Sequence, residues 1–296
     1  MYNGIITVDK PAGMSSHGVI NRLRRILGQK KIGHGGTLDP MATGVLPIFA
    51  GGATRVTEFV QESDKEYLVT MRLGVVTDTQ DITGTVTDTR PVTCGRAEVE
   101  ELIPRFVGTQ LQVPPMYSAV QVDGQRLYKL ARSGIEVERE AREITINSIV
   151  LTGFDEEAHE YTLDVSCSKG TFIRTLCADM GKALGCGAAI TALRRIRTGD
   201  FTLEDAYTLE ELAEHGENGT LKGLFRCADM FFMDLGRITL NERNEERLRN
   251  GAPVYLTRFP AGKYRVYGKT LGFMGLGEIR ETDRRPELWL SNGLWL

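Results

Sequence analysis

The chain has 296 residues, 41% hydrophobic and 25% charged, a length that suggests about two domains. No apolar run approaches the roughly 18 residues of a spanning helix, and MYNGIITVDKPAG lacks the basic and apolar regions of a secretory signal. The net charge of −3 does not point to nucleic acid, and five cysteines without a CxxC pair give neither a disulfide framework nor structural zinc, so a reducing cytoplasm fits best.

In chain order, residues 4–9 read as a short strand stopped by Pro11 and Gly13. A helix is expected over about 17–27, capped by Ser15 or Ser16, because Val19, Ile20, Leu23, Ile26 and Leu27 recur at helical spacing. Gly28 suits its C-terminus. Residues 32–44, IGHGGTLDPMATG, are turn-rich, and Pro40 disfavours helix at Asp39. Strands are expected at 66–74, 84–88, 144–154 and 160–167, the last two joined by the hairpin connection DEEAHE. Phe172, Leu176, Met180 and Leu184 repeat every four residues and predict a helix over Phe172–Gly185, followed by an acidic helix near 201–215. After about 235, short β-prone pieces between Gly and Pro suggest a barrel of about 60 residues, small enough to need packing against its neighbour.

Charge is segregated along this chain. No acidic residue lies between Asp9 and Asp39, a stretch that holds Lys10, Arg22, Arg24, Arg25, Lys30 and Lys31. Lys169, Arg174, Lys182, Arg194, Arg195 and Arg197 form a second basic zone, broken only by Asp179. A polyanion responds to the local field, so these zones could form a track for it; solvated helix faces are the alternative.

Several short segments carry chemistry. Gly33-His34-Gly35-Gly36 is neither a dinucleotide fingerprint nor a Walker loop, but a glycine-dense loop lets another backbone approach closely. Asp39 alone reads as a turn residue. In a stiff loop after a basic helix, it also has the fixed placement that a catalytic carboxylate needs. Lys65-Glu66-Tyr67 opens a strand. Arg174 falls at a predicted helix start, the unfavourable end of the macrodipole for a cation, and so asks for a nearby carboxylate or phosphate. His34 has no second His or Cys at metal spacing, and no Gly-x-Ser-x-Gly elbow occurs.

Val8–Ser16, Gly33–Gly44, Lys65–Tyr67, Ser168–Arg174 and Ala192–Arg195 with Phe201 stand in an order and spacing that resemble the TruB-type tRNA pseudouridine-55 synthases of bacteria. The likeness spans nearly the whole chain. One departure is Phe172, where the family commonly has tyrosine. The resemblance implies an α+β fold, with a largely antiparallel mixed sheet and helices, plus a small C-terminal β-barrel of the PUA type. It implies a catalytic unit at 1–232, with an RNA-gripping insertion at 117–143 carrying Arg126, Lys129 and Arg132, and an RNA-binding unit at 236–296. The implied reaction isomerises uridine in the T-arm loop of tRNA without metal or cofactor, in a cytoplasmic monomer that also helps tRNA fold.

The resemblance also implies roles for residues. Asp39 attacks the sugar or removes a sugar proton. Arg174 keeps Asp39 ionised, and Tyr67 stacks on the base and takes the C5 proton. Phe172 and Leu193 line the pocket, and His34 stacks near the space the base vacates. Lys10, Lys65, Arg194 and Arg195 bind substrate, the arginines through phosphates. Three alternatives stand beside this reading: a non-catalytic RNA-folding protein, a guide-RNA-dependent synthase, and a glycosidase that would need a second acid.

Overall fold

The computed structural model describes residues 1–282 and 285–291; the remaining residues of the expected C-terminal unit, 283–284 and 292–296, lie outside the described residues. The chain begins with β1 (Gly4–Lys10), α1 (Ser16–Leu27), β2 (Ile32–His34) and β3 (Thr43–Ala50). Next come α2 (Thr57–Glu62), β4 (Lys65–Leu73), β5 (Val75–Thr77), β6 (Val86–Thr89), α3 (Arg96–Leu102) and β7 (Gly108–Gln112). The segment expected as an insertion holds a two-stranded ribbon, β8 (Gln121–Val122) and β9 (Gln125–Arg126), and the short helix α4 (Leu127–Arg132). Then follow β10 (Arg142–Asp155), β11 (Glu160–Cys167), α5 (Ile173–Ala183), β12 (Ala188–Thr198), β13 (Phe201–Thr202), β14 (Ala206–Tyr207) and α6 (Leu209–Glu217). The last elements are β15 (Gly236–Leu240), α7 (Glu242–Arg249), β16 (Val254–Tyr255), β17 (Gly262–Gly268), β18 (Gly272–Arg280) and β19 (Glu287–Leu290).

The first sheet runs β14-β1-β3-β12-β4-β11-β10-β7. It is antiparallel throughout this path except where β14 meets β1 and where β12 meets β3. This is the mixed, largely antiparallel α+β sheet expected. Neither β3 nor β12 is anticipated by the sequence reading, yet together they form its centre. In β12 the arginines at 194, 195 and 197 mask the period-2 pattern, and bulges at Ile190/Ala192 and Arg195/Arg197 shift it.

The helices follow from local chemistry. Ser15 caps α1 by accepting from the Gly18 N–H at 3.0 Å, and Gly28 closes it in the left-handed region at φ 59°. Val19, Ile20, Leu23 and Leu27 bury one face against Ile6, Leu46 and Leu212, leaving Arg22 and Arg25 exposed. Each such fully buried aliphatic chain contributes about 1.5–3 kcal/mol. The helix expected near 201–215 instead starts at Leu209, because Thr208 and Glu211 form a reciprocal capping box there; the residues before it pair in β13 and β14. Likewise Phe172 is the N-cap of α5, not its first turn.

The second sheet, β15-β17-β18-β19-β16, curls as a half-barrel over Ile238, Leu248, Val266 and Leu288. It does not close on itself among the described residues: β15 and β16 remain its edges. Tyr267 and Phe273 from this sheet share one apolar cluster with Ile5, Val45, Phe49 and Phe201 of the first. The two units are therefore packed together.

Candidate active site

Five residues line up across the first sheet. Lys10 pairs with Gly44, Gly44 with Arg195, Arg195 with Tyr67, and Tyr67 with Val165. Gly44, at φ 101°, has to be glycine, since a Cβ there would lie 2.2 Å from the Arg195 carbonyl oxygen. This close approach sets the Asp39 loop, which feeds β3, against the end of β12.

The loop is stapled from three sides. Ser16, in the first turn of α1, donates to the Leu38 carbonyl at 3.1 Å and accepts from its N–H at 2.8 Å. The Gly13 N–H donates to Pro40 O at 2.8 Å. Lys10, fully buried, donates from Nζ to the carbonyls of Pro11, Pro40 and Ala42 at 2.8, 3.3 and 2.6 Å. Lys10 is expected above as a substrate contact. Its burial removes it from any surface an RNA could touch, and all its donors are used on backbone. Burial also lowers its pKa to about 8, with Asp39 opposing and Arg195 adding to the shift.

Lys65 is also tied to backbone. Its Nζ donates to the carbonyls of Val60, Gln61 and Ser63, closing the end of α2, and burial lowers its pKa to about 8. It does reach the wall of the cavity described next, unlike Lys10.

A cavity of about 390 Å³ opens beside Asp39. Tyr67, Phe172, Arg174, Leu193 and Arg195 line it, as does the Ser118–Val120 stretch of the 117–143 segment. Arg174 Nε lies 2.8 Å from Asp39 Oδ2, and Nη2 donates to Oδ1 at 3.3 Å. The guanidinium also donates to the carbonyls of Thr79 and Tyr117, each at 2.7 Å. The cation misplaced at a helix start thus has its carboxylate. Burial raises the Asp39 carboxyl above its ordinary value; Arg174 pulls it down without cancelling the burial, and the nearby Asp81 adds to the rise. Burial likewise raises the Tyr67 phenol against the pull of the adjacent Arg195 guanidinium, so the resting side chain is neutral at pH 7.

Phe172 is half-buried at the cavity wall and lies outside the core cluster that holds Leu176 and Met180. The Gln112 side chain clamps its backbone, accepting from the Phe172 N–H at 2.9 Å and donating to its carbonyl at 3.1 Å. Gln112, Thr79 and Ser118 are missed by sequence reasoning. Gln112 lies 60 residues from Phe172, whose backbone it holds, and Thr79 offers Arg174 only its carbonyl, 95 residues away; Ser118 reaches the site through the fold of its own segment, and none of the three carries a side-chain signal in the sequence.

Arg195 does not face a phosphate. It is 1% exposed, and Nε donates to Val45 O at 2.8 Å and Nη2 to Gly36 O at 3.3 Å, so it binds the two flanks of the Asp39 loop. Arg194 pairs with both oxygens of Asp9 at 3.2 and 2.7 Å, and Arg197 pairs with Glu66 at 2.8 Å. Neither lines the cavity. His34 lies on β2 opposite Ile48, also off the cavity wall; burial lowers its pKa and Arg195 adds to the shift. Among the described residues no group of three or more His, Cys, Asp or Glu side chains could hold a metal ion, and no helix is long and apolar enough to cross a membrane.

Three family models match in succession. "TruB family pseudouridylate synthase (N terminal domain)" covers residues 24–173, and "tRNA pseudouridylate synthase B C-terminal domain" covers 174–229. "Pseudouridine synthase II TruB, C-terminal" covers 236–285. The chain belongs to the TruB family. It is 45% identical over 286 residues to tRNA pseudouridine synthase B of Pseudomonas putida, covering 95% of this chain and 93% of that one. The protein of the same name from Pseudomonas aeruginosa is 44% identical over the same shares. In fold, this TruB-family chain is similar to a solved Cbf5-Nop10-Gar1 complex. The TM-score is 0.66 at 23% identity, with 99% of this chain and 85% of that chain covered.

Proposed function

We propose that this chain isomerises uridine to pseudouridine at position 55, in the T-arm loop of tRNA, with Asp39 as the reacting carboxylate. The observation that carries this reading is the Asp39–Arg174 pair at 2.8 Å inside a cavity walled by the rings of Tyr67 and Phe172 and by Leu193. The N1–C1′ bond breaks, the uracil turns, C5 bonds to C1′, the C5 proton leaves to water, and N1 takes a proton in its place. Asp39 meets the sugar as nucleophile or base, and in either role it must be ionised. Tyr67 packs its ring on the uracil. To take the C5 proton, its phenol must ionise during turnover, and the Arg195 guanidinium beside it would stabilise that phenolate.

A base inside a folded loop must be extruded to reach this cavity, at a cost of a few kcal/mol. The exposed cations Arg22, Arg25, Lys30 and Lys31 on and after α1 would bind phosphates and offset that cost. We assign catalysis to 1–232, RNA grip to 117–143 and further RNA contact to the PUA-like unit at 236–296, acting as a cytoplasmic monomer. A tRNA-folding role beside catalysis uses the same surface.

The test is tritium release from C5-labelled uridine in an unmodified tRNA transcript. Release of the label from the T-arm position supports the reading; a transcript bound without release would leave only the RNA-folding function.

A further inference from the structure

We propose that the Ser118 hydroxyl is a direct contact to the target nucleotide; this rests on the function proposed above. Ser118 lines the cavity with Asp39, Tyr67 and Arg174. The residue is 5% exposed, and its Oγ is buried with no hydrogen-bond partner among the described residues. A buried hydroxyl is normally paired, and one left unpaired in a residue of the cavity wall keeps a donor and an acceptor free for a ligand.

The backbone around it is fixed in advance. The Ser118 N–H donates to Met116 O at 3.0 Å, and its carbonyl accepts from the Tyr128 N–H at 3.1 Å. The Val120 carbonyl accepts from the Leu127 N–H at 2.8 Å. The first two N–H groups of α4 therefore hold the stretch from one side, while Arg174 holds the Tyr117 carbonyl from the other. The hydroxyl stands on a segment locked to the same guanidinium as the reacting carboxylate, so its position beside the cavity is fixed, and an entering nucleotide has to displace only the atoms that cover it. Two sources offer the matching chemistry on one nucleotide: the imide edge of uracil, with its carbonyls and N3–H, and the ribose 2′-hydroxyl.

The experiment compares the full-length parent with Ser118→Ala on one unmodified tRNA transcript, by tritium release, equilibrium binding and thermal unfolding. The alanine variant should lose about tenfold in kcat/KM, the size of one lost hydrogen bond, with an unfolding temperature equal to or above the parent's. A kcat/KM within twofold of the parent overturns the proposal, and so does a lowered unfolding temperature that accounts for the loss. A transcript with 2′-deoxyuridine at the target position separates the two sources by binding. If the variant binds it no more weakly than the parent does, the partner is the ribose hydroxyl; a persisting deficit assigns the imide edge. Failure of the parent itself to release tritium would instead sink the functional reading, whatever Ser118 does.

Discussion

Arg174 joins Asp39 to the carbonyls of Thr79 and Tyr117 through one guanidinium, at 2.8 Å to the carboxylate and 2.7 Å to each carbonyl. The cation both opposes the burial of the carboxylate and ties the root of the 117–143 segment to it. Lysine offers a single point charge in place of this fork. In Arg174→Lys the downward pull on Asp39 weakens, so its raised pKa should rise further. Because the proposed reaction needs the ionised form, the acid limb of kcat/KM should move to higher pH. A pH–rate profile of parent and variant checks this, and an unmoved limb would show that Arg174 does not act on the carboxylate.

Asp39→Asn removes the charge at nearly constant size, so turnover should vanish while most tRNA binding remains. Product formation and binding on one transcript measure both, and turnover within tenfold of the parent would end the assignment. Linkage adds a stability test. The folded pKa lies above the unfolded one, so the stability that Asp39 contributes is present at low pH and is lost as pH rises through the folded value. The parent's unfolding temperature should therefore carry a fall as pH rises through that value, and the asparagine variant should lack it.

Lys10 and Lys65 predict the alkaline side. Three N–H groups of each ammonium meet three backbone carbonyls, and the neutral amine has only two to offer. Activity should fall above the value of about 8 shared by both lysines. Stability should not fall with it. A depressed folded pKa means the unfolded chain binds the proton more tightly, so stability rises between about pH 8 and the unfolded value near 10.4. Thermal unfolding across the limb tests this: melting in step with activity would refute the loop-staple reading. Lys10→Met should lower kcat at every pH with binding largely kept.

The element pattern shows why some of the site was legible and some was not. α1 could be read because its cap, apolar stripe and stop all lie within a few residues, as do the turns around Asp39. Arg174 is legible as a cation at the wrong end of a helix, Asp39 as a carboxylate in a stiff loop, and their pairing only through the family resemblance. Arg195 reads in the sequence as a phosphate contact because its partners, Val45 O and Gly36 O, are backbone atoms 150 and 159 residues away, and an arginine in a basic run looks the same whether it faces water or a loop. The same arginines, with the two bulges, hide the central strand β12.

This correction changes which arginines should set the salt dependence of binding. Charge reversal at the exposed Arg22 and Arg25 should weaken tRNA binding and flatten the slope of log affinity against log salt by about one per lost phosphate contact. Arg195→Glu should destabilise the fold instead, because it places an anion where a buried cation holds two carbonyls. Equilibrium binding over a salt series and thermal melts distinguish the two. A slope unchanged in the Arg22 and Arg25 variants would move the phosphate track off α1.

Phe172 offers the sharpest separation of site from core. As N-cap of α5 it stands outside the apolar cluster that contains Leu176 and Met180, and Gln112 holds its backbone whatever its side chain is. Phe172→Ala should therefore cost little in thermal stability. It should still slow turnover by roughly tenfold to a hundredfold, since a base–aromatic stack is worth about 1–3 kcal/mol. Phe172→Tyr keeps the ring and adds one hydroxyl at an open wall, so its activity should stay close to the parent's. Melting and tritium release on both variants decide the matter. If the alanine variant melts much earlier, in proportion to its lost activity, Phe172 belongs to the core; if it turns over normally, the ring does not stack on the base.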